Sequence, residues 1–586
     1  MLKTEPEADS AATDKMWSSD AVAETVRALG YTYLSLVPGS SFRGFQDSIV
    51  NHLGNLSPEL VMTLHEVQAV FIAQGFARAT DTPMAVALHA NVGLMNGLMG
   101  IFDTWCNRVP MLVIGATGPV DAAMRRPWID WVHTSKDQGA LVRNYVKWDD
   151  QPASAAAAVE SVVRADRLAR SEPRGPVYVC LDAGMQESAL DNPVDVPPLD
   201  RFPVSEPPSA SREQVRTVIE ALREAEKPVF LFGRGNRAQS DWDARVALAD
   251  AVGATVLSGT HAAAVFPTEH PLHVLPPIGE RPTEAEIQLL READVVVSFD
   301  WHDLGGFLSA RSGETQISKP FNGKVVSVSL DQNLANGWSM DHQLLAGIDL
   351  PVLASPDRFV RQVLDELDGG RMPERVSGAH WTVLAAEKRR NRRSNDMRVF
   401  DMAFVVTDAL AEEDVTFARL PFGWPGLACA FRSPLDFLGK DAGGTVGSGP
   451  GHAVGTALAL RDSRITVGII GDGDFAIGMQ ALWTASHMDL PLLMIIANNR
   501  SYFNDEVHQE RVAVARGRPV ERKHIGQRID PPVDNCAIAR AQGFDAYGPV
   551  KTEAELTDVL ARAVETVKAG GRVLVDVNVI GGYGEK

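Results

Sequence analysis

ITVGIIGDGD (465–474) and LLMIIANN (492–499) are the stretches that decide the fold. The apolar run 465–470 predicts a buried strand that delivers Gly471-Asp472-Gly473 to its C-terminal end. GMQALWTASHMD (478–489) predicts a helix, and 492–497 predicts a second strand that ends at Asn498-Asn499. Parallel strands joined by a crossover helix bring such tips side by side. A carboxylate at one tip and a carboxamide at the other are hard oxygen ligands suited to Mg²⁺ or Ca²⁺, and a diphosphate can complete the shell. A lone GDG reads as a turn. The ordered set of strand, acid, helix, strand and Asn pair points to a metal-and-diphosphate clamp.

At 586 residues the chain is too long for one core, and its length suggests three or four domains. Apolar residues make up 45% and charged residues 22%, the balance of a soluble globular protein. The net charge of −19 argues against non-specific nucleic-acid binding and against an anionic membrane surface. No apolar run approaches the length needed to span a bilayer. Residues 1–16 lack the apolar core of a secretory signal and read as a polar extension. Cys106, Cys180, Cys429 and Cys536 lie far apart, with no CxxC or metal spacing. They fit reduced, buried thiols in a cytoplasmic protein.

Three regions alternate apolar strands with helices, which predicts an α/β fold of three doubly wound parallel-sheet domains. The first, 17–190, has strand candidates at 34–37, 61–64, 86–88, 111–114 and 177–180. The Pro- and Asp-rich segment 191–210 reads as a linker. The second region, 211–370, has candidates at 229–232, 255–257, 295–299 and 325–330. Residues 371–397 read as a second linker or an exposed helix, and their basic run 388–393 (KRRNRR) as a solvated face. The third region, 398–586, holds the clamp and a last strand at 573–579. Its polar stretch 500–534 reads as a long ordered loop, of a kind that is usually functional.

GDG followed, one helix and one strand later, by NN resembles the thiamin diphosphate (ThDP) enzymes. Three α/β units joined by Pro-rich linkers are similar in layout to that family's decarboxylases and acetolactate synthases, over nearly the whole chain after Trp17. The resemblance implies an aminopyrimidine-binding first domain, a central domain and a diphosphate-binding third domain, with ThDP and Mg²⁺ as cofactors. It implies Asp472, Asn499 and the backbone carbonyl of Ser501 as metal ligands, with Gly471, Gly473, Asp474 and Tyr502 around the cofactor. In GGTVGSGPGH (443–452) it implies Gly444 beside the cofactor and Val446 as the apolar wedge that bends it. His452 either touches the diphosphate or caps a helix. Asp474 stands where relatives carry Ser or Ala, so it is expected to point away or to pair with a base.

In the first region Leu64-His65-Glu66 follows a predicted strand and opens a helix, EVQAVFIAQGFARAT (66–80). By resemblance Glu66 is the acid that shares a proton with N1′ of the aminopyrimidine, although the helix macrodipole alone also favours a Glu there. VPGSS (37–41) and ALHANVG (87–93) resemble the benzoylformate decarboxylases. This implies that Ser40 binds the substrate carboxylate and that His89 transfers protons. A turn serine and a core histidine are the alternatives. Tyr502-Phe503 replaces the family's Tyr-Gly, so Phe503, Asn504 and His508, with Trp131, are candidates for shaping the substrate pocket. His508 equally suits a surface helix. FAD would sit near Gly233-Arg234-Gly235 in the central domain. FDWHDL (299–304) lacks the basic residue that acetolactate synthases carry there, so a flavin is not favoured. His302 is a candidate to reach the site across domains.

These readings imply decarboxylation of a 2-oxo acid to an aldehyde through an enamine. Carboligation to a 2-hydroxy ketone or 2-hydroxy-3-oxo acid, as in acetolactate synthases, is the alternative, and a non-catalytic ThDP-binding partner subunit is the third reading. In relatives the aminopyrimidine and diphosphate sites meet across a subunit interface, which implies a homodimer or homotetramer. Nucleic acid and membrane are not expected as partners. The substrate itself is not legible in the sequence.

Overall fold

The structure is a computed structural model that describes residues 15–279, 282–310, 323–331, 344–372, 381–390 and 397–582. The predicted apolar runs form strands, and among the described residues every strand pairing within the sheets is parallel. The first sheet comprises β1 (Tyr33–Leu36), β2 (Glu59–Met62), β3 (Met84–Leu88), β4 (Met111–Thr117), β5 (Asp149–Asp150) and β6 (Pro176–Asp182), in the order β2-β1-β3-β4-β6-β5. Strands β3, β4 and β6 are buried at every residue, as expected of strands covered on both faces. The second sheet comprises β7 (Pro228–Phe232), β8 (Thr255–Leu257), β9 (Val295–Phe299), β10 (Lys324–Val328) and β11 (Leu350–Val352), in the order β11-β10-β9-β7-β8. The third comprises β12 (Val415–Arg419), β13 (Ile465–Gly471), β14 (Leu492–Asn498), β15 (Asp545–Val550) and β16 (Arg572–Asn578), in the order β12-β13-β14-β16-β15. Three parallel-sheet α/β domains result.

Two helical expectations are corrected. The helix predicted over 478–489 is the shorter Ala481–His487, and a separate helix, Asp472–Gly478, precedes it. The preceding helix starts at the GDG itself, where Asp472 and Asp474 suit the positive end of a helix. The stretch 500–534 is not loop throughout, because Phe503–Ala515 is a helix. The chain then returns, so that Ser501 pairs with Arg528 and the Tyr502 N–H donates to the Gln527 carbonyl at 3.0 Å. The helix predicted over 66–80 forms as Glu66–Thr80. Segment 191–210 is irregular apart from a short turn at Leu199–Arg201. Within 371–397 a helix, Thr382–Arg390, is described. Residues 373–380, 391–396 and the terminal 1–14 lie outside the described residues.

The chain forms two compact units. One holds the described residues up to Glu206 together with Asp441–Ala459, and it carries the first sheet. The other holds the described residues from Pro207 to Lys440 and from Leu460 onward, and it carries the second and third sheets. Segment 441–459 joins the first unit through close backbone packing. A Cβ on Gly455, in helix Gly449–Leu460, would strike the Ile72 carbonyl of helix Glu66–Thr80. Polar ties add to this contact: the Gly443 N–H donates to Asp103 Oδ1 at 2.8 Å, and Gln68 Nε2 donates to the Gly447 carbonyl at 2.9 Å. All four cysteines are buried thiols. Among the described residues no helix is long and apolar enough to cross a membrane.

Candidate active site

In the first sheet β1 lies between β2 and β3, so the chain order reverses there. Parallel sheets bind ligands in the crevice beyond the carboxyl ends of strands at such a point. Three predicted residues follow these ends: Glu66 after β2, Ser40 after β1 and His89 after β3. The turn after β1 presses on His89, and a Cβ on Gly39 would lie 2.5 Å from His89 Cβ, so only glycine fits. Glu66 opens its helix with 15% of its side chain exposed, and Glu66 Oε2 accepts from Asn96 Nδ2 at 3.0 Å. Glu66 and His89 converge on Gly93: a Cβ there would be 3.0 Å from His89 Cβ and 3.6 Å from Glu66 Oε1.

The serine bonded to His89 is Ser41, the neighbour of the substrate-binding candidate Ser40. Ser40 is exposed at the start of a 3-10 turn, whereas the next residue, Ser41, is buried and places Oγ 2.7 Å from His89 Nδ1. A second imidazole, His133, packs edge-on against His89 with ring centroids 4.5 Å apart. Burial first, and then His133, hold the His89 pKa below its ordinary value; Glu66 opposes them and Arg126 adds to the lowering. These causes favour the neutral form of the His89 imidazole. Arg126 itself is held by Asp130, its Nη2 2.8 Å from Oδ1. No sequence motif marked His133, Arg126 or Ser41. Trp131 is exposed in the same segment.

The loop 443–448 lies in this same unit. Gly444 adopts φ +64°, and a Cβ there would meet nothing within 4 Å. Val446 is exposed, and among the described residues the buried Thr445 Oγ1 has no hydrogen-bond partner. His452 is neither a helix cap nor an open contact for a diphosphate. It is 1% exposed inside its helix, with Nε2 2.7 Å from Gln74 Oε1 and 3.6 Å from Asp103 Oδ2. Burial, and then the charge of Asp441, push the Asp103 carboxyl up to about 7 against the pull of Arg78.

In the second unit the β13–β14 register pairs Gly471 with Ala497, which sets Asp472 beside the Asn pair. The Asp472 carboxylate is 5% exposed, and the backbone N–H groups of Asn499 and Gly473 donate to it. Burial nevertheless pushes its pKa up to about 6, and among the described residues no Lys or Arg forms an ion pair with it. Asn499 Oδ1 accepts the Ser501 N–H at 2.9 Å. Asn498 turns away and donates Nδ2 to Asp576 at 3.0 and 3.2 Å. A Cβ on Gly473 would lie 2.6 Å from the Tyr502 ring. Asp474, expected to point away or meet a base, has Oδ2 3.9 Å from Arg419 Nε. A pocket beside Asp472 is lined by Asn498, Arg500, Ile529, Val533 and Asn535, among others. Phe503 lies against Gly581, Asn504 is half-buried, and His508 is exposed on helix Phe503–Ala515.

Among the described residues no three His, Cys, Asp or Glu side chains cluster as an all-side-chain metal site. One buried carboxylate with amide and carbonyl oxygens nearby is instead the donor set of Mg²⁺ that borrows phosphate oxygens. The buried Asp472 carboxylate, with the Asp576 carboxylate acting on it and no Lys or Arg paired to it among the described residues, fits that cation. The partnerless Thr445 hydroxyl and the open face of Gly444 fit a phosphate group. In the central domain the glycines of Gly233-Arg234-Gly235 face protein: Gly233 meets the Asp300 carbonyl, and a Cβ on Gly235 would lie 2.5 Å from Arg245 Nη1. His302 is half-buried in the turn after β9.

Comparison with known proteins agrees with this arrangement. Three family models of thiamine pyrophosphate enzymes match in order: the N-terminal TPP binding domain over residues 16–141, the central domain over 215–353 and the C-terminal TPP binding domain over 423–577. Benzoylformate decarboxylase of Pseudomonas aeruginosa is 28% identical, covering 88% of this chain and 91% of its own length. Acetolactate synthase isozyme 3 large subunit of Escherichia coli is 23% identical over 93% of this chain and 91% of its own. A solved structure of a putative thiamin diphosphate-dependent enzyme from Mycobacterium smegmatis shares the fold, with a TM-score of 0.77 at 21% identity over 97% of this chain and 100% of that one. With both TPP-binding domains and the central domain present in order along its length, the chain belongs to the thiamin diphosphate-dependent enzymes.

Proposed function

We propose that this enzyme decarboxylates a 2-oxo acid to an aldehyde without net oxidation, using ThDP and Mg²⁺. The convergence of Glu66 and His89 on Gly93 carries this reading, because it sets a proton-sharing carboxylate beside a neutral imidazole. The bound cofactor supplies the electron sink for the pair left behind by CO₂. Glu66 holds a proton against the aminopyrimidine, and Asn96 fixes its carboxylate. Ser40, at the exposed turn, hydrogen-bonds the substrate carboxylate. His89 moves protons at the substrate's carbonyl carbon and oxygen. Asp472, Asn499 and the Ser501 carbonyl hold Mg²⁺ against the diphosphate, and the glycines at 443–447 let the backbone approach. Phe503 and Asn504 shape the substrate side. The functional particle is a homodimer or homotetramer in which Glu66 of one chain serves the Asp472 clamp of another.

The similarity to acetolactate synthases keeps carboligation as the second outcome of the same site. The test is a panel of aliphatic and aromatic 2-oxo acids with CO₂, aldehyde and hydroxy-ketone products all measured. CO₂ with stoichiometric aldehyde supports the proposal. CO₂ with hydroxy ketone replaces it with the carboligase, and no CO₂ from any acid overturns it.

A further inference from the structure

We propose that Ser41 is the positioning residue of His89, holding the imidazole as the tautomer whose proton sits on Nε2. A serine hydroxyl has one proton to donate and two acceptor sites. Ser41 is 1% exposed, so that proton must find an acceptor inside the protein. The Ala90 N–H donates to Ser41 Oγ at 3.0 Å and fills one acceptor site. The other contact of Oγ is His89 Nδ1 at 2.7 Å, the acceptor that the described residues offer the hydroxyl proton. The chain therefore runs from Ala90 N–H to Ser41 Oγ–H to His89 Nδ1. The opposite polarity, Nδ1–H to Oγ, would strand a buried O–H with no acceptor.

The surroundings hold this chain in place. Gln186 Nε2 donates to the Ser41 carbonyl at 3.0 Å, which anchors the 3-10 turn to helix Ala183–Gln186. Ala90 adopts φ +23°, an uncommon backbone state for alanine, at the point where its N–H bonds Ser41 Oγ. The groups facing the ring from other elements are Glu66, His133 and Arg126, with Phe42 edge-on at 6.5 Å. Burial, His133 and Arg126 favour a neutral imidazole against the opposing charge of Glu66, and in the neutral ring the fixed Nδ1 acceptor makes Nε2 an N–H donor. A neutral imidazole N–H polarises a carbonyl without a full charge to desolvate. His89 then enters the reaction as a donor to the substrate oxygen. That last step rests on the proposed function; the tautomer does not.

Protein labelled with ¹⁵N at histidine, at about pH 8 where the ring is neutral, reports the tautomer by NMR, with His89→Gln assigning the signal. Wild type is expected to show an unprotonated Nδ1 and a protonated Nε2. Ser41→Ala is expected to show a mixture and to lose about tenfold in kcat/KM with an altered pH profile, whereas Ser41→Thr restores both. A protonated Nδ1 in wild type, or an unchanged tautomer and pH profile in Ser41→Ala, overturns the proposal. If Ser41→Ala does not fold, wild type and Ser41→Thr still decide it. Full activity in His89→Gln would overturn the proposed function while the spectrum still judges Ser41.

Discussion

Glu66 and Asp472 both open a helix beyond the end of a parallel strand, yet their surroundings are opposite. Glu66 is partly exposed, takes one side-chain amide from Asn96 and shares its space with imidazoles. Asp472 is buried and takes backbone N–H groups, and its surroundings hold the Asn498 and Asn499 amides, the Asp576 carboxylate and the Tyr502 phenol, with no imidazole among the groups that act on it. Both acids stand at the carboxyl ends of parallel strands, but of the two it is Glu66 that borders a reversal of strand order, since β12, β13 and β14 run consecutively where Asp472 stands. The chemistry then differs with what stands around them. An imidazole, which titrates near neutral pH, makes a place for proton traffic, and a short carboxylate among backbone N–H groups and amides makes a place for a cation.

The largest expected effect breaks the first region alone. Glu66→Gln keeps the shape and loses the exchangeable proton, so kcat falls by about 10²- to 10⁴-fold, while ThDP affinity by fluorescence titration stays close to wild type. An active Glu66→Gln would remove the proton site.

Asp472→Asn tests the second region. Burial lifts its folded-state pKa from 3.8 to about 6, so the folded protein holds this proton more tightly than the unfolded chain does. The group favours folding most below the unfolded value, and that support is lost as pH rises through the folded pKa. In cofactor-free protein Asp472→Asn should therefore raise stability at pH 8 by up to about 3 kcal/mol, read as a higher Tm, and the gain should shrink toward pH 4. The same variant should bind ThDP at least about tenfold more weakly in the presence of Mg²⁺. Stabilisation without weakened binding would show that the carboxylate is not the clamp.

Two glycines sharpen the contrast. Gly39→Ala pushes on His89, and Gly473→Ala pushes on Tyr502. Each added methyl costs about 1–3 kcal/mol of strain. Gly39→Ala should lower kcat/KM about tenfold with cofactor affinity retained, and Gly473→Ala should weaken cofactor binding first. Equal effects on both measurements would blur the division of labour. The smallest effect is that of Ser40→Ala, a KM rise of about three- to tenfold with kcat little changed, of the size of one hydrogen bond. An unchanged KM would leave substrate binding to other groups.

The central strands were legible because burial on both faces demands unbroken apolar runs. Among the edge strands β2 and β8 were legible, whereas β5, β11, β12 and β15 were not. Asp149–Asp150 is two acids, Leu350–Val352 is short, and Asp545–Val550 contains Gly548 and Pro549. Edges need not be apolar on both faces, and they tolerate residues that break central strands. Helix Phe503–Ala515 was hidden by its polarity, since most of it faces water. Glu66, Asp472 and Asn499 stood out because strand ends fix their place. The choice between Ser40 and Ser41 depends on a 3-10 turn, whose rotation the residue types do not specify. His133 comes from an irregular segment with no periodicity to place it.

The first unit is discontinuous: it requires Asp441–Ala459 as well as the residues up to Glu206. This fixes a schedule for synthesis. Chains emerge from the ribosome N-terminus first, and domains tend to fold as they appear. Here Asp103, Gln68 and Gln74 have no access to Gly443, Gly447 and His452 until residue 459 has been made. The nascent first sheet must wait through the whole central region with that helix face uncovered. A fragment cut at Glu206 would keep the strands that position Glu66 and His89 and still lack part of its own interior, so the gene cannot be divided at its first linker without exposing that interior.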